Sequence, residues 1–199
     1  MEPVRRIEGR IAPLDRANVD TDQIMPKQFL KRIERSGFGP YVFWDWRRAG
    51  GFILDRAEYR GAAVLVAGPN FGCGSSREHA AWGLQDAGYR AVVAPSFADI
   101  FRSNCVKIGL LPVELPEETV RRLLQLALDD PATVASIDLE AQTVSAGEVA
   151  ARFEIDSFTK ECLLSGWDEI ALTLRQESEI AAFEARRPEF LPRVTTASA

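Results

Sequence analysis

Histidine is nearly absent from this chain: His79 is the only one in 199 residues. That excludes, within the chain, a multi-histidine metal centre and any mechanism needing two histidines. Cysteine is scarce too. Cys73, Cys105 and Cys162 are odd in number, far apart and form no Cys-x-x-Cys pair. This argues against a disulfide framework or a structural zinc site, and for a reducing, cytoplasmic compartment. Long apolar runs are missing: stretches such as residues 62–67 are strand-sized, against the roughly 18 residues of a membrane span. The opening Met1-Glu2-Pro3-Val4-Arg5-Arg6 leads into no apolar h-region, so a signal peptide is not expected. An excess of positive charge is also lacking. Lys and Arg number 24 against 29 Asp and Glu, a net charge of −5, the wrong sign for non-specific nucleic-acid binding. What is present, 46% hydrophobic residues with 27% charged, suits one domain with a substantial core, and disorder is not expected.

The order of patterns indicates an α/β domain. Residues 7–13 read as a strand. Residues 14–26, rich in Asp, Asn and Thr, read as a loop, because these side chains compete with the backbone ladder. Residues 27–51 carry several aromatics and little periodicity; they read as a short helix and a long loop pinned by those rings. Residues 62–67 and 91–94 are buried-type strands flanking a helix over 78–88. This is a βαβ unit, so the two strands should run parallel. A short helix over 96–105, a strand over 111–115 and a helix to about 128, with Pro116 as its first residue and Glu117-Glu118 in its first turn, follow. Residues 134–139 and 142–145 read as a hairpin, 153–156 are ambiguous, and 167–187 read as one long helix before a tail. No internal repeat is evident.

The strongest local signal is Gly72-Cys73-Gly74-Ser75-Ser76-Arg77, between a parallel strand and a helix N-terminus. There, backbone amides and about half a positive charge favour anions, and the guanidinium of Arg77 matches a carboxylate or phosphate. The structural alternative is a glycine-rich turn with a serine cap and a salt-bridged arginine. Known motifs fail by register: a dinucleotide fingerprint needs glycine at 77, a P-loop needs lysine, and the nucleophile elbow fits at no offset. A dyad of His79 with Ser75 or Cys73 is one reading; a hydrogen-bonding histidine near a helix start is the other. Cys73 reads either as a reactive thiol or as a small residue that fits. Asp20-Thr21-Asp22 offers two carboxylates to a metal, or Asx-turn chemistry.

Three segments carry a family resemblance. They are the run from Asp20-Thr21-Asp22 through Pro26-Lys27-Gln28-Phe29-Leu30-Lys31-Arg32; Asn70-Phe71-Gly72-Cys73-Gly74-Ser75-Ser76-Arg77-Glu78-His79-Ala80; and Ile100-Phe101-Arg102-Ser103-Asn104-Cys105 with Gly109-Leu110-Leu111-Pro112. In order and spacing, over residues 4 to 190, they resemble the bacterial small subunits of 3-isopropylmalate dehydratase, in the aconitase superfamily. The resemblance implies an α/β fold: a swivelling β/β/α domain like the mobile C-terminal domain of aconitase over residues 1–165. A C-terminal helix and tail over 166–199 would pack on the same domain.

The resemblance implies a hydro-lyase that isomerises the small dicarboxylate 2-isopropylmalate to 3-isopropylmalate by dehydration and rehydration in leucine biosynthesis, with a separate large subunit holding a [4Fe–4S] cluster and no cofactor or metal in this chain. By the resemblance, Ser75 is the base that takes a proton from the carbon beside a carboxylate. Arg77 clamps a substrate carboxylate, Ser76 supports it as a donor, and Asp22 organises the site. Phe29, Leu30 and Lys31 belong to the loop that distinguishes substrates. In relatives that use tricarboxylates a basic residue there reads the extra carboxylate, a role open to Lys31 or Arg32, whereas Leu30 suits an isopropyl group. Aconitases tend to carry an acidic residue where Cys73 stands, which points away from citrate. The alternatives are a subunit of a related hydro-lyase (homoaconitate, citraconate or dimethylmalate) and a non-catalytic carboxylate-binding module.

Overall fold

One strand joins the two halves of the molecule. In the computed structural model, which describes residues 1–31, 34–188 and 190, β1 (Arg6–Leu14) pairs in both senses. Its first half runs antiparallel to β5 (Val134–Asp138), with Ile7 opposite Ile137. Its second half runs parallel to β2 (Val64–Ala67), from Ile11 opposite Val64 to Leu14 opposite Ala67. With β3 (Ala91–Ala94), β4 (Leu111–Glu114), β6 (Thr143–Ala146) and β7 (Val149–Arg152), the described residues form a seven-stranded sheet of order β4-β3-β2-β1-β5-β6-β7. The half from β4 to β1 is parallel and the half from β1 to β7 antiparallel. The expected βαβ unit is present: α3 (Glu78–Asp86) connects β2 to its parallel neighbour β3, and α4 (Asp99–Ile108) connects β3 to β4.

Every residue of β2 and β3 is buried, because helices or loops cover both faces. Leu65, Ala67, Val92 and Ala94 join Leu84 of α3 and Phe101 and Cys105 of α4 in one core. The alternate residues Val64, Val66, Ala91 and Val93 join Val120, Leu123, Leu124 and Ala127 of α5 (Glu117–Asp129) in the other. This is why the strands read as continuous apolar runs rather than as alternation. The α5 residues recur at the spacing of one helical face. Each fully buried Val, Leu or Phe contributes about 1.5–3 kcal/mol relative to exposure. Pro116 is the N-cap of α5, one residue before its expected place.

The hairpin of β5 and β6 matches the sequence reading, but two elements were not read at all. In β7 only Val149 is buried, so it shows no alternation. In α6 (Ser157–Ser165) only Cys162 and Leu163 are buried, and its start is marked by Asp156, which accepts from Thr159 N. The helix expected over 167–187 is instead two, α7 (Glu169–Leu174) and α8 (Glu177–Ala185). Asp168 caps α7 as expected, accepting from Ala171 N at 2.8 Å. Neither helix has a buried residue, so no core contact holds the two collinear. Thr173 Oγ1 also donates back to Glu169 O at 2.9 Å, a bond that tends to bend helices. Among the described residues no helix is long and apolar enough to cross a membrane.

Candidate functional site

The loops that leave β1, β2 and β3 at their C-terminal ends lie side by side, where α/β sheets tend to bind ligands, and backbone bonds join them as extensions of the sheet. Gly72 N–H donates to Val19 O (2.7 Å) and Thr21 N–H to Cys73 O (2.9 Å). On the other side Phe71 N–H donates to Ser96 O (3.1 Å) and Ala98 N–H to Phe71 O (3.0 Å). The turn is therefore anchored on both edges. Gly72, at φ +76, passes so close to Phe101 that a Cβ there would strike the ring. Gly74, at φ +88, lies against Asp20, where a Cβ would come within 3.3 Å of the Asp20 Cβ. Both glycines suit the left-handed backbone, and at Gly72 space also demands one.

These loops bring together part of the expected constellation. Asp22 sits in the first turn of α1 (Thr21–Ile24), and Arg77 donates to its Oδ1. The guanidinium side chain is 17% exposed and the carboxylate 48%. The pair therefore meets solvent mainly on its aspartate side. Thr21, 2% exposed, donates through Oγ1 to Ser75 O at 2.8 Å and so fixes the backbone that carries Ser75. The sequence reading missed Thr21: it stands between two aspartates in a stretch read simply as loop, and only its burial reveals its part. Asp20 is the N-cap of α1 in a capping box, its carboxylate accepting from Gln23 N (2.7 Å) while Gln23 Oε1 accepts from Asp20 N (3.0 Å). That matches the Asx-type reading, and among the described residues no group of three His, Cys, Asp or Glu could hold a metal.

The two serines stay uncommitted. α3 starts at Glu78 with Arg77 as N-cap and no side-chain capping bond, so neither Ser75 nor Ser76 caps it, and both are exposed. The structural alternative required a serine cap and a salt-bridged arginine; only the arginine pairing is present. Ser75 lies two residues before the N-cap, just ahead of the first turn whose amides no side chain caps.

His79 packs edge-on against Phe38 (5.2 Å between centroids) and against Trp82 (4.7 Å). Burial, its largest influence, lowers its pKa from the ordinary value, with Glu78 opposing and Arg77 reinforcing. It is an aromatic packing residue kept neutral, with no hydrogen bond to Ser75 or Cys73 among the described contacts. Burial, reinforced by Asp20, pushes the Cys73 thiol up, away from the thiolate a reactive cysteine needs. Cys105 and Cys162 are buried on α4 and α6, and burial raises both of their pKa values. Three thiols on separate elements are not a ligand set for an iron–sulfur cluster.

The segment with Phe29, Leu30 and Lys31 follows α1 but contacts other partners. Phe29 and Leu30 are half-buried against the α3 and α4 core, and Lys31 is exposed. The described ring contacts tie Phe29 to Tyr41 and Trp44, not to Arg77. Arg32 lies outside the described residues. A cavity of about 250 Å³, lined by Arg102, Lys107, Ile155 and Asp156 among others, contains none of the candidate residues. Ser75 and Ser76 stand instead on an open surface.

The same chain is similar to known proteins along its length. Residues 1–118 match the aconitase C-terminal domain and 121–157 the LeuD_N model. Residues 169–197 match the C-terminal domain of the 3-isopropylmalate dehydratase small subunit. A 3-isopropylmalate dehydratase small subunit of Rubrobacter xylanophilus is 56% identical over 194 residues, covering 98% of this chain and all of the relative. One of Halalkalibacterium halodurans is 54% identical over 194 residues, 94% of this chain and all of the relative. A crystal structure of a 3-isopropylmalate dehydratase from Methanocaldococcus jannaschii, 24% identical, superposes with a TM-score of 0.68 over 89% of this chain and 98% of its own.

Proposed function

We propose a division of labour whose premise is the family: the chain belongs to the 3-isopropylmalate dehydratase small subunits. Its activity is that of a hydro-lyase working as a complex with a large subunit in leucine biosynthesis. The reaction turns 2-isopropylmalate into 3-isopropylmalate by removing water and returning it at the neighbouring carbon.

Within that reaction we assign the proton to this chain. Ser75 acts as general base at the carbon beside a carboxylate, receiving the proton on Oγ and returning it on rehydration to the neighbouring carbon. An alkoxide is costly in water. The uncapped amides at the start of α3 and the nearby cation of Arg77 lower that cost. Arg77 exchanges Asp22 for a substrate carboxylate, and Ser76 donates to the same group. Asp22 holds the guanidinium in place between turnovers. Leu30 and Phe29 receive the isopropyl group and Lys31 stands at the edge of that pocket. The observation that carries this reading is the pair of exposed serines that leave α3 uncapped, beside an arginine that, among the described residues, pairs with an exposed aspartate.

The [4Fe–4S] cluster belongs to the large subunit in this reading, since the three thiols here do not fit one. Purified by itself the chain is expected to be colourless and inactive; visible absorbance from a cluster bound in that sample would overturn the assignment. On the open face around Ser75 the site is completed by the large subunit, in the cytoplasm. In this reading residues 1–165 serve as the swivel domain and the residues from 166 onward as its extension, of which 189 and 191–199 lie outside the described residues.

Ser75→Ala tests the central claim. A positioned general base contributes about 10²–10⁴-fold. In the reconstituted complex, kcat should fall by about that factor while substrate still binds and the melting temperature holds. Turnover at the wild-type rate would end the serine-base assignment.

A further inference from the structure

Residues 27–31 join no strand, and their only regular element is a single 3-10 turn, Lys27–Phe29. Their backbone bonds are local: Phe29 N–H donates to Pro26 O (3.0 Å) and Leu30 N–H to Lys27 O (3.2 Å). Leu30 and Phe29 both pack against the core, and the Phe29 ring adds aromatic contacts. It stacks on Tyr41 with 4.2 Å between centroids and 20° between planes, and meets Trp44 edge-on at 5.3 Å. Tyr41 and Trp44 are themselves 5.9 Å apart, and the guanidinium of Arg48 lies 5.9 Å over Trp44. All three rings are only half-buried.

The placement of the two partner rings depends on strain. Phe43, between them, adopts φ +56 and ψ +31, a left-handed conformation that is an outlier for a bulky residue. Its amide donates to Ile24 O at 2.9 Å. Its own ring is fully buried and stacks on Trp46 at 5.4 Å. The reversed turn thus sends Phe43 into the core and leaves Tyr41 and Trp44 in contact with Phe29. Burial of the Phe43 ring and its amide bond to Ile24 O offset the strain, and the same turn sets Tyr41 and Trp44 against Phe29. Such conformations persist where the surrounding structure holds them, and they cluster at functional positions.

We propose that Tyr41 and Trp44 are positioning residues for substrate selection: by clamping Phe29 they set where Leu30 and Lys31 stand against the alkyl group of the substrate. The proposal rests on the reading of residues 29–31 as substrate-facing.

The test uses the complex reconstituted with its large subunit, with 2-isopropylmalate and an analogue carrying methyl in place of isopropyl. Loss of one aromatic contact corresponds to about a 3- to 10-fold effect. Trp44→Ala should lower kcat/KM for 2-isopropylmalate by about that factor, through KM, with kcat nearly unchanged and the methyl analogue little affected. Trp44→Phe, which keeps an aromatic edge, should restore the preference. Tyr41→Leu is measured in parallel with the same expectation, so that the test survives a variant that fails to fold. An equal loss on both substrates, or a loss confined to kcat, would mean that the rings merely support the fold and would overturn the proposal. Leu30→Ala separates the two layers of the proposal. If it leaves the isopropyl-over-methyl preference intact, the substrate-facing reading fails and takes the clamp with it. If it collapses the preference while Trp44→Ala and Tyr41→Leu preserve it, the clamp alone fails.

Discussion

Two neighbouring segments are built on different principles: the turn over residues 68–77 and the aromatic stretch over 27–44. The turn is held by its backbone. Amide–carbonyl bonds reach it from the loops after β1 and β3, and its glycines fit where a side chain would not. Its side chains are thereby released, and Ser75 and Ser76 have no structural task in capping α3. The aromatic stretch is the reverse. Among its described residues the regular elements are 3-10 turns and the six-residue α2 (Trp44–Ala49); single amide bonds from Phe38 and Phe43 anchor it, and most of the ties between its parts are ring contacts. A segment held through its backbone keeps its geometry under many side-chain changes, which suits chemistry. One held through side chains is adjustable by substitution, which suits selection among related substrates.

The comparison predicts separable failures. Gly72→Ala attacks the backbone principle directly. A left-handed conformation forced on an L-residue costs about 1–2 kcal/mol and overpacking against Phe101 about 1–3 kcal/mol. The sum of about 2–5 kcal/mol should lower the melting temperature by roughly 4–20 °C for a chain of this size. A variant as stable as wild type would show that the turn tolerates a side chain and that its shape is not glycine-determined.

Arg77→Lys tests the smaller effect of a released side chain. It keeps the charge but loses the guanidinium fork. A charge-assisted bond of about 1.5–3 kcal/mol should disappear from substrate binding, roughly a 10- to 150-fold loss in kcat/KM. Substrate inhibition constants and calorimetry on the same samples separate a binding loss from a folding defect. An unchanged kcat/KM would remove Arg77 from the carboxylate-binding role.

The smallest effect concerns His79, whose packing against Phe38 and Trp82 lowers its pKa from the ordinary 6.5. A depressed histidine pKa means that the unfolded chain takes up the proton first. Stability contributed by neutral His79 is present above about pH 6.5 and is lost progressively as the pH falls through the lower, folded-state value. Urea titrations between about pH 7.5 and 5 should show that decline, and His79→Phe should flatten it. An identical pH dependence in the two proteins would show that the ring is not desolvated in solution.

The legibility of these regions follows the same physics. The parallel half was readable because its strands are covered on both faces and therefore uniformly apolar, as in the runs at 64–67 and 91–94. The glycine turn was readable because Gly72, Gly74, Ser75, Ser76 and Arg77 are adjacent in sequence. By contrast β7, with one buried residue, and the break between α7 and α8, with no core contact on either side, left little periodic pattern to detect.

By itself the sequence determined the βαβ unit around the glycine turn, the residue types gathered in that turn and, through its motifs, the family. These depend on residues close along the chain, where local propensity and spacing act directly. Only the tertiary structure decided that β1 pairs in both senses and that Asp22 meets Arg77 across 55 positions. It also decided that Thr21 carries the backbone of Ser75 and that Tyr41 and Trp44 close on Phe29. Each of these joins residues from different loops. Their proximity comes from the sheet that aligns the loop ends and from the burial of the core beneath them, and no local pattern encodes it.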